Sequence, residues 1–129
     1  MLKNSKVFSG FSVNDLKKAI AFYSDVLGIE AVENEMGVAE LHFTGDTHIM
    51  MYPKPNHVPA TFTILNFMVD DIEKKVAELK KAGIVFESYK EKDLTTDDDN
   101  ILRNNGPKIA WFTDPAGNIL SVIEQDLQD

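Results

Sequence analysis

The sequence predicts an α+β fold: two βαβββ modules whose mixed sheets curve into a cup, with the helices on the outer face. Two observations carry that expectation. The chain repeats itself at a fixed spacing, and in each copy an alternating apolar segment runs into an aspartate and then a helical pattern. Phe11, Val13, Leu16 and Ile20 recur 56 positions later as Phe67, Val69, Ile72 and Val76, and Asp15 recurs as Asp71. Self-similarity at a fixed period is the mark of a duplicated supersecondary unit.

Each element has a local reason. The first helix is expected from Asn14 to Leu27, with Asn14 or Asp15 accepting the free backbone N–H groups at its start. Leu16, Ala19, Ile20, Tyr23 and Leu27 then fall on one face at the helical period. Gly28 supplies the left-handed residue that ends it. The second helix is expected from Asp71 to Ala82, stopped by Gly83, with Ile72, Val76 and Leu79 as its buried stripe. Strand signals follow each glycine, over Ile29–Val32 and Ile84–Phe86. Two hairpins close the modules: Val38–Thr44 with His48–Tyr52, and Lys108–Thr113 with Ile119–Glu124. In the second, Asp114-Pro115-Ala116-Gly117-Asn118 suits a type I turn with glycine at the positive φ, which gives Asp114 a structural role.

A length of 129 residues fits a single domain, with module 1 at 1–52, a linker at 53–59 and module 2 at 60–129. The linker holds three prolines in seven residues and so is read as extended chain unable to join a central strand. Apolar residues make up 43% and charged residues 26% of the chain. That balance excludes general disorder. With no cysteine there is no disulfide framework, zinc–thiolate site or cysteine nucleophile. No segment is long and apolar enough to span a bilayer and no signal peptide stands at Met1–Lys6, so a cytoplasmic protein without membrane contact is expected. A net charge of −8 opposes nucleic-acid binding. Part of that charge is Asp97-Asp98-Asp99, within a polar stretch from Glu87 to Lys108 that reads as a solvated loop, a lid or an acidic lip for a cationic ligand.

Side chains alternate across a strand. If Phe11, Val13, Leu65, Phe67, Val69, Ala39, Leu41 and Phe43 face the helices, the opposite face carries Phe8, Gly10, Ser12, Ile64, Asn66, Met68, Val38, Glu40 and His42. Aligning Phe43-Thr44 on Phe112-Thr113 sets Trp111 opposite His42, and aligning Gly45 on Gly117 sets Ile49 opposite Ser121. The ligand-binding candidates are then Phe8, Ile49, Met51, Ile64, Asn66, Trp111 and Ser121: a mostly apolar concavity with a few polar groups. The same face could equally be a second core or a subunit interface. His42 and Glu40, two residues apart on one face, are the candidates for acid–base catalysis. His48 and His57 are expected to be exposed and uninvolved, and Glu124 is a poor ligand candidate because its parity is opposite to that of Ser121.

The run from Phe11 through Val13-Asn14-Asp15-Leu16 to Phe22-Tyr23, with Leu27-Gly28 after it, resembles the vicinal oxygen chelate superfamily. So does Trp111-Phe-Thr-Asp-Pro-Ala-Gly-Asn-Ile-Leu120. That superfamily includes glyoxalase I, bleomycin-resistance proteins, fosfomycin-resistance enzymes and extradiol dioxygenases. The resemblance implies paired βαβββ modules, commonly completed as a homodimer. It also implies a divalent ion held by His and Glu side chains from the first and last strands of the modules. Carried across, those positions are Phe8, Ile49, Ile64 and Ser121, and the neighbours Val7, Ser9, Met50, Leu65, Leu120 and Val122 add no imidazole or carboxylate. No metal and no other cofactor is expected.

Three functions follow in order. The first is metal-independent binding of a small, partly apolar or aromatic molecule, as in the bleomycin-resistance branch. The second is a lyase or isomerase using His42 and Glu40 or a metal site in a non-standard place. The third is a non-catalytic dimeric interaction protein.

Overall fold

The computed structural model describes residues 1–103 and 106–125 and divides into two compact units, Met1–Val58 and Pro59–Asp129. Each pairs a mixed sheet with one helix, as the α+β reading requires.

In the first unit the elements are β1 (Ser9–Val13), α1 (Leu16–Ala21), β2 (Glu30–Glu33), β3 (Ala39–His42) and β4 (His48–Pro53). The Asp15 side chain caps α1 by accepting the Lys18 N–H at 3.1 Å. The helix then widens into one π turn over Phe22–Val26, where the Leu27 N–H reaches back to the Phe22 carbonyl at 3.1 Å. That turn seats Tyr23, fully buried, against Phe11 with ring centroids 5.8 Å apart. The strand order is β1-β4-β3-β2, with β1 and β4 parallel. Val13, Ala39, Leu41 and Met51 are all at 0% exposure on the helix-covered face.

The linker is partly structured. Pro53 is the last residue of β4 and the parallel partner of Val13, although β4 is an inner strand. It fits because β3 ends its pairing at Met51, so no ladder bond is asked of the proline nitrogen. Lys54 N–H continues to the Val13 carbonyl at 2.9 Å. His57 is half-buried, with Nδ1 2.7 Å from Ser12 Oγ.

The second unit holds β5 (Thr63–Val69), α2 (Ile72–Lys81), β6 (Lys90–Glu91), β7 (Leu94–Thr95), β8 (Ile109–Thr113) and β9 (Ile119–Glu124). Its main sheet has the order β5-β9-β8, with β5 and β9 parallel, while β6 and β7 form a separate hairpin. Asp71 caps α2 through the Lys74 N–H at 3.1 Å. Glu124 adds a second tie, accepting the Ile72 N–H at 3.0 Å. Gly83 ends the helix at φ 99°.

The strand expected at Ile84–Phe86 is absent. Ile84 and Phe86 are buried, with Phe86 edge-on to Phe112 at 5.4 Å, so the alternation is real, but the chain makes no ladder there. Just past this segment the Glu87 N–H reaches β8, at the Trp111 carbonyl (2.8 Å).

The stretch from Glu87 onward is organised, with 104–105 outside the described residues. Thr96 and Tyr89 close the β6–β7 hairpin, and Thr96 and Ile101 are 1% exposed. Asp97 is a turn-former here: its Oδ1 accepts the N–H groups of Asp99 and Ile101, and its Oδ2 pairs with Arg103.

The β8–β9 turn closes on itself. Asp114 Oδ1 accepts the N–H groups of Ala116 and Asn118 at 2.9 Å each, and Oδ2 accepts from the Asn118 amide at 3.1 Å. Gly117 lies at φ 84° beneath Pro59, where an added Cβ would stand 2.8 Å from the proline Cγ.

Candidate functional site

Which residues face away from each helix follows from strand register, and register corrects part of the sequence reading. In the first unit, Met51 is the Cα partner of Phe11 and Ala39, and Ile49 that of Ser9 and Leu41. Both therefore lie in the helix-covered rows. Met50 instead pairs with Gly10 and Glu40, and His48 pairs with His42, on the open face. A slip of one residue moves every side chain of a strand to the other face.

The slip has an identifiable cause. The first hairpin closes from His42 to His48 and the second from Thr113 to Ile119, so Met50 corresponds to Ser121 and Glu40 to Trp111. Gly45 and Asp46 both adopt positive φ, 73° and 62°, and it is Asp46 that occupies the place of Gly117. Aligning glycine on glycine mispairs the turns by one.

In the second unit Asn66, Ser121 and Trp111 lie side by side on one face, as expected. Ile64 does not fall into that row. A bulge between Thr63 and Leu65 brings Thr63 level with Ile119. The Trp111 indole N–H donates to Thr63 Oγ1 at 3.2 Å.

Two surfaces result, each within one unit. In the first, Phe8, Met36, Val38, Glu40, His48 and Met50, together with Asn34, line a cavity of 220 Å³. Asn34 shapes it locally: its Oδ1 accepts the N–H groups of Met36 and Val38, and Gly37 turns at φ 78°. Phe8 is 66% exposed and, with His48, also borders a wider groove that Ile49 reaches from its helix-side row. His42 and His48 stack with ring centroids 4.5 Å apart and planes 9° from parallel. Glu40 Oε1 lies 3.5 Å from His42 Nε2 and 3.4 Å from His48 Nδ1.

In the second surface, Ser121 is fully buried and its hydroxyl donates to Asn66 Oδ1 at 2.6 Å. The half-buried Trp111 ring meets Tyr89 edge-on at 5.4 Å and 90°. Burial, then the charges of Glu87 and Glu91, push the Tyr89 phenol above its usual value and keep it neutral.

The strongest electrostatics lie elsewhere. Glu73 accepts from Arg103 Nη1 at 2.7 Å and Lys108 Nζ at 3.1 Å. The Arg103 bond first, then its own backbone N–H and Lys108, pull its carboxyl from 4.5 to about 2. This cluster ties α2 to Arg103 and to Lys108, just before β8.

The divalent ion that the resemblance implies does not fit the residues at its positions. With the register corrected these are Phe8, Met50, Thr63 and Ser121: a hydrocarbon, a thioether and two neutral hydroxyls, one bonded to Trp111 and the other committed to Asn66. Glu124, which binds the Ile72 N–H and lies 3.6 Å from Lys108, is likewise engaged in structure. The sequence reading missed Met50, His48, Thr63 and Tyr89. The closing-pair spacing of the two hairpins held the signal for the first two; nothing in the sequence announced the others.

Comparison with known proteins agrees with this architecture. The family model for the Glyoxalase/Bleomycin resistance protein/Dioxygenase superfamily matches residues 8–122. TnmS3, an antibiotic binding protein from Streptomyces sp. CB03234, superposes with a TM-score of 0.68 at 21% identity, covering 95% of this chain and 98% of that one. A bleomycin-binding protein, solved in complex with bleomycin, gives a TM-score of 0.67 at 22% identity, covering 95% and 100%. An uncharacterized protein of Bacillus subtilis (strain 168), YraH, is 27% identical over 87% of this chain and 91% of its own length. The paired βαβ units, their register and the match over residues 8–122 together place this chain in the glyoxalase/bleomycin resistance/dioxygenase superfamily.

Proposed function

We propose that the protein binds a small, partly apolar or aromatic molecule without an ion at the family's metal positions. One observation carries the reading: where relatives of the fold hold an ion, Ser121 is sealed against Asn66, and the half-exposed Trp111 ring stands beside it. Flat aromatic surface with neutral polar groups at its edge favours stacking of a ring system oriented by hydrogen bonds. Phe8 offers a second exposed aromatic surface beside the 220 Å³ cavity, and Met50 takes the place first given to Ile49 and Met51. The net charge of −8 favours a cationic ligand. The structural neighbours that bind an antibiotic support the same class. A homodimer in the cytoplasm belongs to this reading; the exposed Phe8, Phe62 and Met68 bear on self-association alone.

The test is a thermal-shift and calorimetric titration with bleomycin and other cationic aromatic antibiotics, in the presence of a chelator. A specific ligand raises Tm by mass action, and Trp111→Ala weakens it about tenfold, equivalent to about 1.4 kcal/mol of lost stacking. Binding abolished by the chelator, or indifferent to both Trp111→Ala and Phe8→Ala, overturns the reading.

A second reading has an observation of its own. Glu40 Oε1 approaches both imidazoles within 3.5 Å, the equipment of an acid–base lyase or isomerase acting on a small carbonyl compound. Turnover lost in His42→Ala while the fold persists would establish it.

A further inference from the structure

We propose that Glu40, His42 and His48 form a binding site for a divalent first-row transition ion of the zinc class, at a place distinct from the family's metal positions. Alternation along β3 puts Glu40 and His42 on the open face, and the hairpin pairs His42 directly with His48. One donor atom from each lies within 4.8 Å of the others.

The spacing suits a metal better than it suits hydrogen bonds. A tetrahedral ion with bonds of about 2.0–2.1 Å sets its donors ~3.4 Å apart. Glu40 Oε1 stands 3.5 Å from His42 Nε2 and 3.4 Å from His48 Nδ1, so two edges of such a tetrahedron already have that length, and turning one of the stacked rings out of parallel brings both in-plane lone pairs onto the ion. His42 Nε2 is itself inaccessible to solvent and makes no hydrogen bond among the described residues. A buried polar atom without a partner is costly unless something else satisfies it. The opposite nitrogen, Nδ1, lies 3.7 Å from Glu30 Oε1, and Glu30 is the Cα partner of His42 across β2. A carboxylate behind a ligating imidazole is the usual way to fix the ring and raise its basicity.

Donor chemistry narrows the ion. Two imidazoles and one carboxylate, in a chain without thiolates, favour Zn²⁺, Ni²⁺ or Cu²⁺ over Ca²⁺ and Mg²⁺, which want more oxygen. Three protein ligands leave a coordination position open. Glu40 and His48 both line the 220 Å³ cavity. The other group of three among the described residues, Asp71, Glu73 and Glu124, has no imidazole, and Glu73 and Glu124 are held by Arg103 and Lys108.

The test uses untagged full-length protein, stripped with a chelator, exchanged into chelator-free buffer and titrated with Zn²⁺ by calorimetry. Co²⁺ serves as a spectroscopic probe. One Zn²⁺ per chain is expected, with Co²⁺ giving visible d–d bands of a low-coordinate site. Glu40→Gln and His48→Ala should each weaken Zn²⁺ binding more than tenfold, and Glu30→Gln about tenfold. His57→Ala and Asp71→Asn should leave it unchanged. Circular dichroism confirms folding of each variant, and Glu40→Gln, which preserves shape, decides if His48→Ala fails to fold. Absence of Zn²⁺ binding, or binding indifferent to Glu40→Gln and His48→Ala, overturns the proposal. Zn²⁺ affinity is read without any organic ligand, and the small-molecule reading is tested under chelation, so either can fail alone.

Discussion

The two hairpins that end the modules are built from the same plan and carry different chemistry. In the first, Glu40 and His42 face His48 and Met50 across an open strand pair. In the second, Trp111 faces Ser121, and the turn is locked by Asp114. The backbone register is shared, and the side chains on the open face are not. Duplication thus preserved the geometry of the rows that pack on the helix and left the opposite rows free to diverge, one toward imidazole and carboxylate, the other toward an indole with neutral partners.

Neighbouring methionines on β4 should respond oppositely to truncation. Met51→Ala should cost about 2–5 kcal/mol, because the side chain is fully buried in the helix-covered row. Met50→Ala, on the open face, should cost less than about 1 kcal/mol and act on ligand affinity instead. Denaturant melts of the two variants decide it, and equal losses would refute the register.

The turns offer a second contrast. Gly117→Ala should cost roughly 2–4 kcal/mol, since the left-handed φ penalty adds to a collision with Pro59. Gly45 sits at φ 73° with nothing within 4 Å of an added Cβ. Gly45→Ala should therefore cost only about 1 kcal/mol. Similar thermal shifts in both would mean that Pro59 yields.

The smallest expected effect is electrostatic. Glu73 in α2 occupies the repeat position of Lys17 in α1 and is braced by Arg103 and Lys108. Its folded-state value lies below the unfolded one, so its stabilisation is complete above 4.5 and lost as pH falls from there toward about 2. Exposure to solvent screens the pair and keeps the effect modest. Glu73→Gln should therefore flatten the decline of Tm across that window, and an unchanged pH profile would show the cluster to be inert.

Much of the fold was legible because burial writes itself into spacing. Phe11 with Val13 and Phe67 with Val69 alternate, the helices carry their stripes, and Asp15 and Asp71 both cap as expected. The site was only half legible. Asn66, Ser121 and Trp111 came out on one face, but Ile49 and Met51 did not, because turn glycines look alike in sequence whether one or two residues take positive φ. The bulge that swapped Ile64 for Thr63 leaves no compositional mark. Tyr89 was hidden in a charged stretch whose order comes from Asp97, Asn100 and Thr96 bonding to the backbone, a pattern indistinguishable from solvated loop.

The bare Cα of Gly117 under Pro59 has a consequence for how such a duplicated chain can change. Pro59 is clamped within the second unit, and Ala60 N–H is tied to Asn118 Oδ1 at 3.4 Å. Insertions between His57 and Pro59 leave both the Ser12–His57 contact and that clamp in place, whereas one added residue between Pro59 and Thr63 would drag the proline off its seat. Length variation among natural versions of this chain should accordingly collect on the amino-terminal side of Pro59.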